Sequence, residues 1–168
     1  ECKSKSISFL STGFDIESLN FLKKIRLKIF KIPSGEITNI PYLRHVGSFK
    51  KKIILSTGMS NLKEVETAVN ELTKSGTELK KITLMHCTTD YPASILDVNL
   101  KAIQTLKNEF DCKVGYSDHT IGDEISIAAV SIGASTIEKH FTTNRNNIGP
   151  DHKASMEPIE LKNMIKKI

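Results

Sequence analysis

The feature that most constrains this chain is a repeated alternation of short strand-like runs with longer helix-like ones. Ile7 to Ser11, Leu27 to Ile32, Lys52 to Ser56, Ile82 to His86, Lys113 to Tyr116 and Thr136 to Lys139 carry β-branched or aromatic residues, the composition of strands. Each leads through a polar loop into an amphipathic stretch. The plainest helix follows Met59. There, Asn61 and Glu64 have capping-box spacing, Leu62, Val65, Val69 and Leu72 form one apolar stripe, and Gly76 ends the run. Asp15 caps a run with Ile16, Leu19, Leu22 and Ile25; Ile125, Ala128, Ala129 and Ile132 precede Gly133; Pro158 opens a run with Leu161 and Ile165. Strands alternating with helices, at a repeat of roughly 22 to 31 residues, pair in parallel because each parallel neighbour needs a crossover. The expected class is α/β, with about six βα units.

Two architectures share that pattern. A doubly wound open sheet accepts six strands, whereas a closed barrel needs eight and usually about 250 residues. The 168 residues, 39% hydrophobic and 26% charged, suit one ordinary globular domain. The apolar runs Ile53-Ile54-Leu55 and Ile125 to Ile132 are far shorter than a bilayer span, and no leader-like segment opens the chain. A cytoplasmic protein that engages no membrane is expected. Cys2, Cys87 and Cys112 are odd in number and irregular in spacing, which fits reduced thiols. The net charge of +5 is spread through every segment without an aromatic-rich basic stretch. This reads as solvated helix faces with a residual field favouring a small anion, and no nucleic-acid partner is expected.

Reactive side chains collect just after the strands. They are Ser11-Thr12, Lys31 with Ser34-Gly35-Glu36, Ser56-Thr57-Gly58, His86 to Tyr91, Ser117-Asp118-His119-Thr120, and Glu138 with His140. In a barrel these ends converge on one mouth, while in an open sheet only those beside a switch point meet. Six loops so equipped favour the barrel. Lys31, Ser34, Ser56 and Ser117 offer a cation and three hydroxyls, with Gly35 and Gly58 letting backbone amides approach an anion. Ser and Gly are also ordinary turn formers. Neither a dinucleotide fingerprint nor a Walker-type loop is present. His119 and His140, with the carboxylates Asp118, Glu138 and Asp151 nearby in sequence, form a second set suited to a divalent ion. His86, inside the apolar run Ile82-Thr83-Leu84-Met85, reads as buried and structural, and His45 and His152 as surface or loop residues. Cys87 has no specific base beside it and reads as a small buried thiol.

Six strings carry a resemblance: Phe-Lys-Ile-Pro-Ser-Gly-Glu (30 to 36), Ile-Leu-Ser-Thr-Gly-Met (54 to 59), His-Cys-Thr-Thr-Asp-Tyr-Pro (86 to 92), Gly-Tyr-Ser-Asp-His-Thr (115 to 120), Glu-Lys-His-Phe-Thr (138 to 142) and Gly-Pro-Asp-His-Lys-Ala-Ser (149 to 155). In order and spacing they resemble the N-acetylneuraminate (sialic acid) synthase family over essentially the whole chain. The resemblance implies a (β/α)8 TIM barrel followed by an antifreeze-like domain, working as a domain-swapped homodimer. Residues 1–168 would be a partial barrel domain, strands 3 to 8, lacking the first two strands and the C-terminal domain. It implies condensation of phosphoenolpyruvate with an N-acyl mannosamine or a deoxy analogue.

It implies phosphoenolpyruvate ligands at Lys31, Ser34, Ser56 and Ser117, with Thr12 nearby, and Mn2+ or Mg2+ on His119 and His140. Glu36, Tyr91 and Asp151 resemble sugar-side residues or their supports, and Thr89 stands where many neuraminate-forming members have asparagine. Glu36, or a water at the metal, is expected to handle the proton, with His140 the second catalytic candidate. The Thr-Thr-Asp-Tyr-Pro form is closer to the legionaminate-forming branch. Gly13 replaces a usual proline and should loosen its turn. Two rival readings are another metal-dependent barrel, such as an aldolase or a sugar-phosphate isomerase, and a catalytically silent fragment that only binds a partner or ligand.

Overall fold

Local signals settle most of the elements. In the computed structural model, which describes residues 1–168, Asn61 caps α3 (Leu62–Lys74) and a full capping box joins it to Glu64. Gly76, at φ 115°, closes the helix: its amide donates to the Thr73 carbonyl and that of Thr77 to the Leu72 carbonyl. This is the paired termination that a left-handed residue permits. Val65, Val69 and Leu72 are buried, which stabilises the fold by roughly 1.5–3 kcal/mol for each such side chain.

The remaining elements are α1 (Ile16–Lys24), β1 (Ile29–Ile32), α2 (Ile40–Gly47), β2 (Lys52–Ser56), β3 (Ile82–Cys87), α4 (Lys101–Glu109), β4 (Lys113–Asp118), α5 (Glu124–Ser131), β5 (Ile137–Lys139) and α6 (Pro158–Lys167). The strands are hydrogen-bonded in chain order, β1-β2-β3-β4-β5. The chain divides within β3 into two compact units, Glu1–Thr83 and Leu84–Ile168.

In the first unit β1 and β2 are parallel, with Lys31 opposite Ile54 and Ile32 opposite Leu55. The core holds Leu19, Phe30, Ile32, Leu43, Val46 and Leu55, all at most 1% exposed. Helices α2 and α3 approach so closely that a Cβ on Gly47 would stand 2.8 Å from the Leu72 carbonyl oxygen and from Ser75 Cβ. Arg44 and Glu71 pair across them at 2.6 Å.

In the second unit β4 and β5 are parallel, with Tyr116 opposite Ile137, Ser117 opposite Glu138 and Asp118 opposite Lys139. Asp123 precedes α5, and Gly133, at φ 100°, ends it with the same paired hydrogen bonds as Gly76. Glu157 and Glu160 form a capping box around Pro158 at the start of α6.

Five strands form where six were expected. Ile7 to Ser11 stays irregular, with Ile7 66% and Phe9 55% exposed. β-propensity describes a residue's fit to a pleated, half-buried surface, and this segment pairs with no strand of the sheet. Contacts at the turn of Gly13 come from α1 and α2. The buried Tyr42 hydroxyl donates to the Gly13 carbonyl at 2.5 Å, and Asp15 caps α1 directly after it. No helix is long and apolar enough to cross a membrane.

Candidate functional site

In the first unit, the β1–β2 register decides which side chains share a face. Lys31 lies opposite Ile54, and Ser56 is two residues beyond Ile54, so the period of two puts Lys31 and Ser56 on one side of the ladder. Both are buried, Lys31 at 9% and Ser56 at 3% exposure. Past the strand ends Ser34 turns back, and its Oγ accepts the Gly58 amide at 2.9 Å. Lys31, Ser34 and Ser56 therefore collect at one end of the two strands, as expected. Glu36 ends the 3-10 turn after Pro33, and its carboxylate accepts from Asn39 Nδ2 at 2.7 Å. Thr12 is half-buried and lines a groove with Glu17, Ser18 and Phe21.

In the second unit, register again sorts the chemistry. Ser117 opposes Glu138 on one face, Asp118 opposes Lys139 on the other, and His119 and His140 continue the first face one step beyond the ladder. Their rings lie 5.6 Å apart at 70°. Tyr91 packs on both, 4.1 Å from the His119 ring and 5.5 Å from that of His140. The loop carrying Tyr91 is tied down where the Ala93 amide donates to the His119 carbonyl at 2.9 Å. Thr89 is exposed on the same loop. Asp151 Oδ2 stands 3.8 Å from His140 Nδ1.

The hydrogen bonds of His119 set its tautomer. Nδ1 lies 2.6 Å from the Thr88 carbonyl oxygen, which only accepts, so Nδ1 carries a proton. Burial holds the imidazole below its ordinary pKa, so the ring is neutral and Nε2 presents a lone pair. The neighbour of Nε2 is Ser117 Oγ at 3.3 Å, whose one proton goes to Glu138 Oε1 at 2.7 Å. The Nε2 lone pair is thus left for an incoming Lewis acid or donor, with its opposite nitrogen fixed by a carbonyl as metal-binding histidines commonly are. No group of three His, Cys, Asp or Glu side chains is arranged to hold an ion.

Asp118 departs from the expected carboxylate set. It is 0% exposed and turned away from His119, and it accepts from the Thr120 amide (2.9 Å), Thr120 Oγ1 (2.7 Å), Ser126 Oγ (2.6 Å) and Lys139 Nζ (2.9 Å). Lys139 also donates to the Thr120 carbonyl at 2.6 Å. This network escaped the sequence reading, although simple alternation along 117–119 and 138–140 places it on the face opposite the histidines. The Thr88 carbonyl also escaped it, because a backbone acceptor leaves no residue-type signal.

His86 is half-buried, less enclosed than expected. Its ring lies 5.6 Å from that of Tyr116, and burial lowers its pKa. His86 Nε2 and the Tyr116 hydroxyl are buried without a hydrogen-bond partner. Cys87 is buried. His45 and His152 are half-buried rather than free on the surface, the first against Asn20 Oδ1 at 2.9 Å and the second against Thr142 Oγ1 at 2.7 Å.

The whole chain, residues 1–168, matches the family model described as the NeuB family. The chain belongs to the NeuB family. Over 160 residues it is 61% identical to the N,N'-diacetyllegionaminic acid synthase of Campylobacter jejuni, covering 95% of this chain and 48% of the relative. The enzyme of the same name from Legionella pneumophila is 52% identical over 167 residues, 98% of this chain and 47% of the relative. Among solved structures, the N-acetylneuraminic acid (sialic acid) synthetase of Leptospira borgpetersenii matches with a TM-score of 0.93 and 41% identity, over 98% of this chain and 57% of that one. The expected fold class, a parallel α/β fold that is part of a β/α barrel, stands on that match. This NeuB-family chain spans about half the length of the relatives it matches.

Proposed function

We propose that this chain is the phosphate- and metal-handling part of a nonulosonic acid synthase. In this reading C3 of phosphoenolpyruvate bonds to the aldehyde carbon of an open-chain N-acyl amino sugar, water adds at C2, and phosphate leaves. The names of the relatives at 61% and 52% identity favour a deoxy sugar bearing two N-acetyl groups over N-acetylmannosamine. The whole protein is then a cytoplasmic homodimer whose product feeds cell-surface carbohydrate.

Lys31 offsets the charge of the substrate's phosphate while Ser34 and Ser56 direct hydroxyls to its oxygens, fixing the phosphate by charge-assisted hydrogen bonding. His119 and His140 would hold Mn2+ or Mg2+, which when bound would supply Lewis-acid polarisation of the aldehyde. Tyr91, Thr89 and Asp151 border the sugar, and Glu36 handles the proton. The observation that carries this reading is the neutral His119 ring, oriented by Thr88, with Nε2 free of a proton donor two residues beyond Ser117 of the Ser117–Glu138 pair.

The test is phosphate release from phosphoenolpyruvate. It should require both the amino sugar and the metal, and should vanish in His119→Gln and His140→Ala proteins that remain folded. Release without the amino sugar, or unchanged release in both variants, would sink the proposal. The share of the relatives that the chain spans supports a second reading, in which the chain alone binds phosphate and metal without turnover. Binding of phosphoenolpyruvate without release of phosphate would select it.

A further inference from the structure

The loop that carries Asp151 leaves β5 after His140 and returns at Glu157, and packing does little to shape its tip. Ile148 is fully exposed at 103%, and the Asp151 side chain is 54% exposed. Polar contacts must hold it. At the base, the Met156 amide donates to the His140 carbonyl at 2.8 Å and the Thr142 amide to the Met156 carbonyl at 2.9 Å, with Phe141 and Met156 bridged in parallel.

Across the loop runs Arg145. Its amide donates to Glu157 Oε1 at 3.0 Å, its Nε to the Ser155 carbonyl at 3.1 Å, and its Nη2 to Glu160 Oε2. The same Glu160 oxygen accepts the Glu157 amide at 2.8 Å, so the guanidinium is anchored to the capped start of α6. Ser155, buried at 3%, donates its hydroxyl to the Asp151 carbonyl at 2.7 Å. Two hydrogen bonds in series therefore connect Arg145 to the backbone of Asp151, whose carboxylate stands by His140.

We propose that Arg145 is a positioning residue: it clasps the 141–157 loop to the start of α6 and so fixes Asp151 beside His140 for the amino sugar. This rests on the function proposed above. A planar guanidinium holds its donors on separate nitrogens in a fixed fork, whereas lysine carries its three donors on one atom at the end of a flexible stem. An ordinary exposed ion pair with Glu160 needs neither the Ser155 bond nor the relay to Asp151.

The experiment compares Arg145→Lys and Ser155→Ala with the unaltered protein. Arg145→Lys keeps the charge opposite Glu160 and loses the fork. Its Asn147, Ala154 and Ser155 amides should exchange about tenfold faster while those of β4 stay unchanged, and the KM for the amino sugar should rise about fivefold with that for phosphoenolpyruvate constant. Ser155→Ala keeps the carbonyl that Arg145 uses and should show the KM change with little loosening of Asn147. Unchanged loop exchange in Arg145→Lys, or both KM values moving together, would overturn the clasp. Failure of the unaltered protein to release phosphate from both substrates together would sink the reading of the site, and loop exchange would still decide the clasp.

Discussion

The two faces of the β4–β5 ladder differ by one residue in sequence and by nearly everything in chemistry. On one, Asp118 and Lys139 are buried at 0% and 3% side-chain exposure and every oxygen of the carboxylate has a donor. On the other, Ser117, Glu138, His119 and His140 leave the His119 Nε2 lone pair without a proton to accept. A buried charge whose partners are complete has no capacity for a ligand, and serves by holding the strands that carry its neighbours. Capacity lies where satisfaction is incomplete.

Breaking the satisfied face should cost the most stability. Asp118→Ala leaves the Lys139 ammonium buried and unpaired, and we expect a loss of roughly 3–5 kcal/mol in denaturant unfolding. A loss below about 1 kcal/mol would remove the distinction between the faces. On the other face, His140→Ala should change stability by no more than about 0.5 kcal/mol, since the side chain is a third exposed, yet abolish metal-dependent phosphate release. Strong destabilisation would make His140 structural.

The His86–Tyr116 pair lies between these extremes. The folded pKa of His86 is held below its ordinary 6.5 by burial. Stability from keeping it neutral is therefore fully present above pH 6.5 and is lost as pH falls from there toward the folded pKa, because only the unfolded chain takes up the proton. His86→Gln should flatten that part of the unfolding profile, and an unaltered slope would assign it elsewhere. The smallest effect is expected of Tyr116→Phe. Removing a buried hydroxyl without a partner should leave stability unchanged or raise it by up to about 1 kcal/mol. A clear loss would show that the hydroxyl is satisfied in solution.

How much of this was legible in the sequence follows from where each signal resides. Capping residues such as Asn61 and Asp15 and the terminators Gly76 and Gly133 act locally, and the helices they bound form where the residues place them. α4 starts without a side-chain cap and offers no comparable mark. Ile7 to Ser11 has the composition of a strand but pairs with none, since strand pairing is a tertiary property. At the site, residue types and spacing singled out Lys31, Ser34, His119 and His140. They did not separate Asp118 from Glu138, although alternation along each strand does, nor reveal Thr88 or the Arg145 clasp, which act through backbone atoms and across a loop.

The most direct test is a Mn2+ titration followed through the histidine side-chain nitrogens. The account predicts that the resonances of His119 Nε2 and of the His140 ring broaden first, that His86 stays sharp at the same ion concentration, and that His119→Gln weakens binding at least about tenfold. Binding of equal strength after loss of both His119 and His140, or broadening centred on the Asp118–Lys139 face, would contradict it.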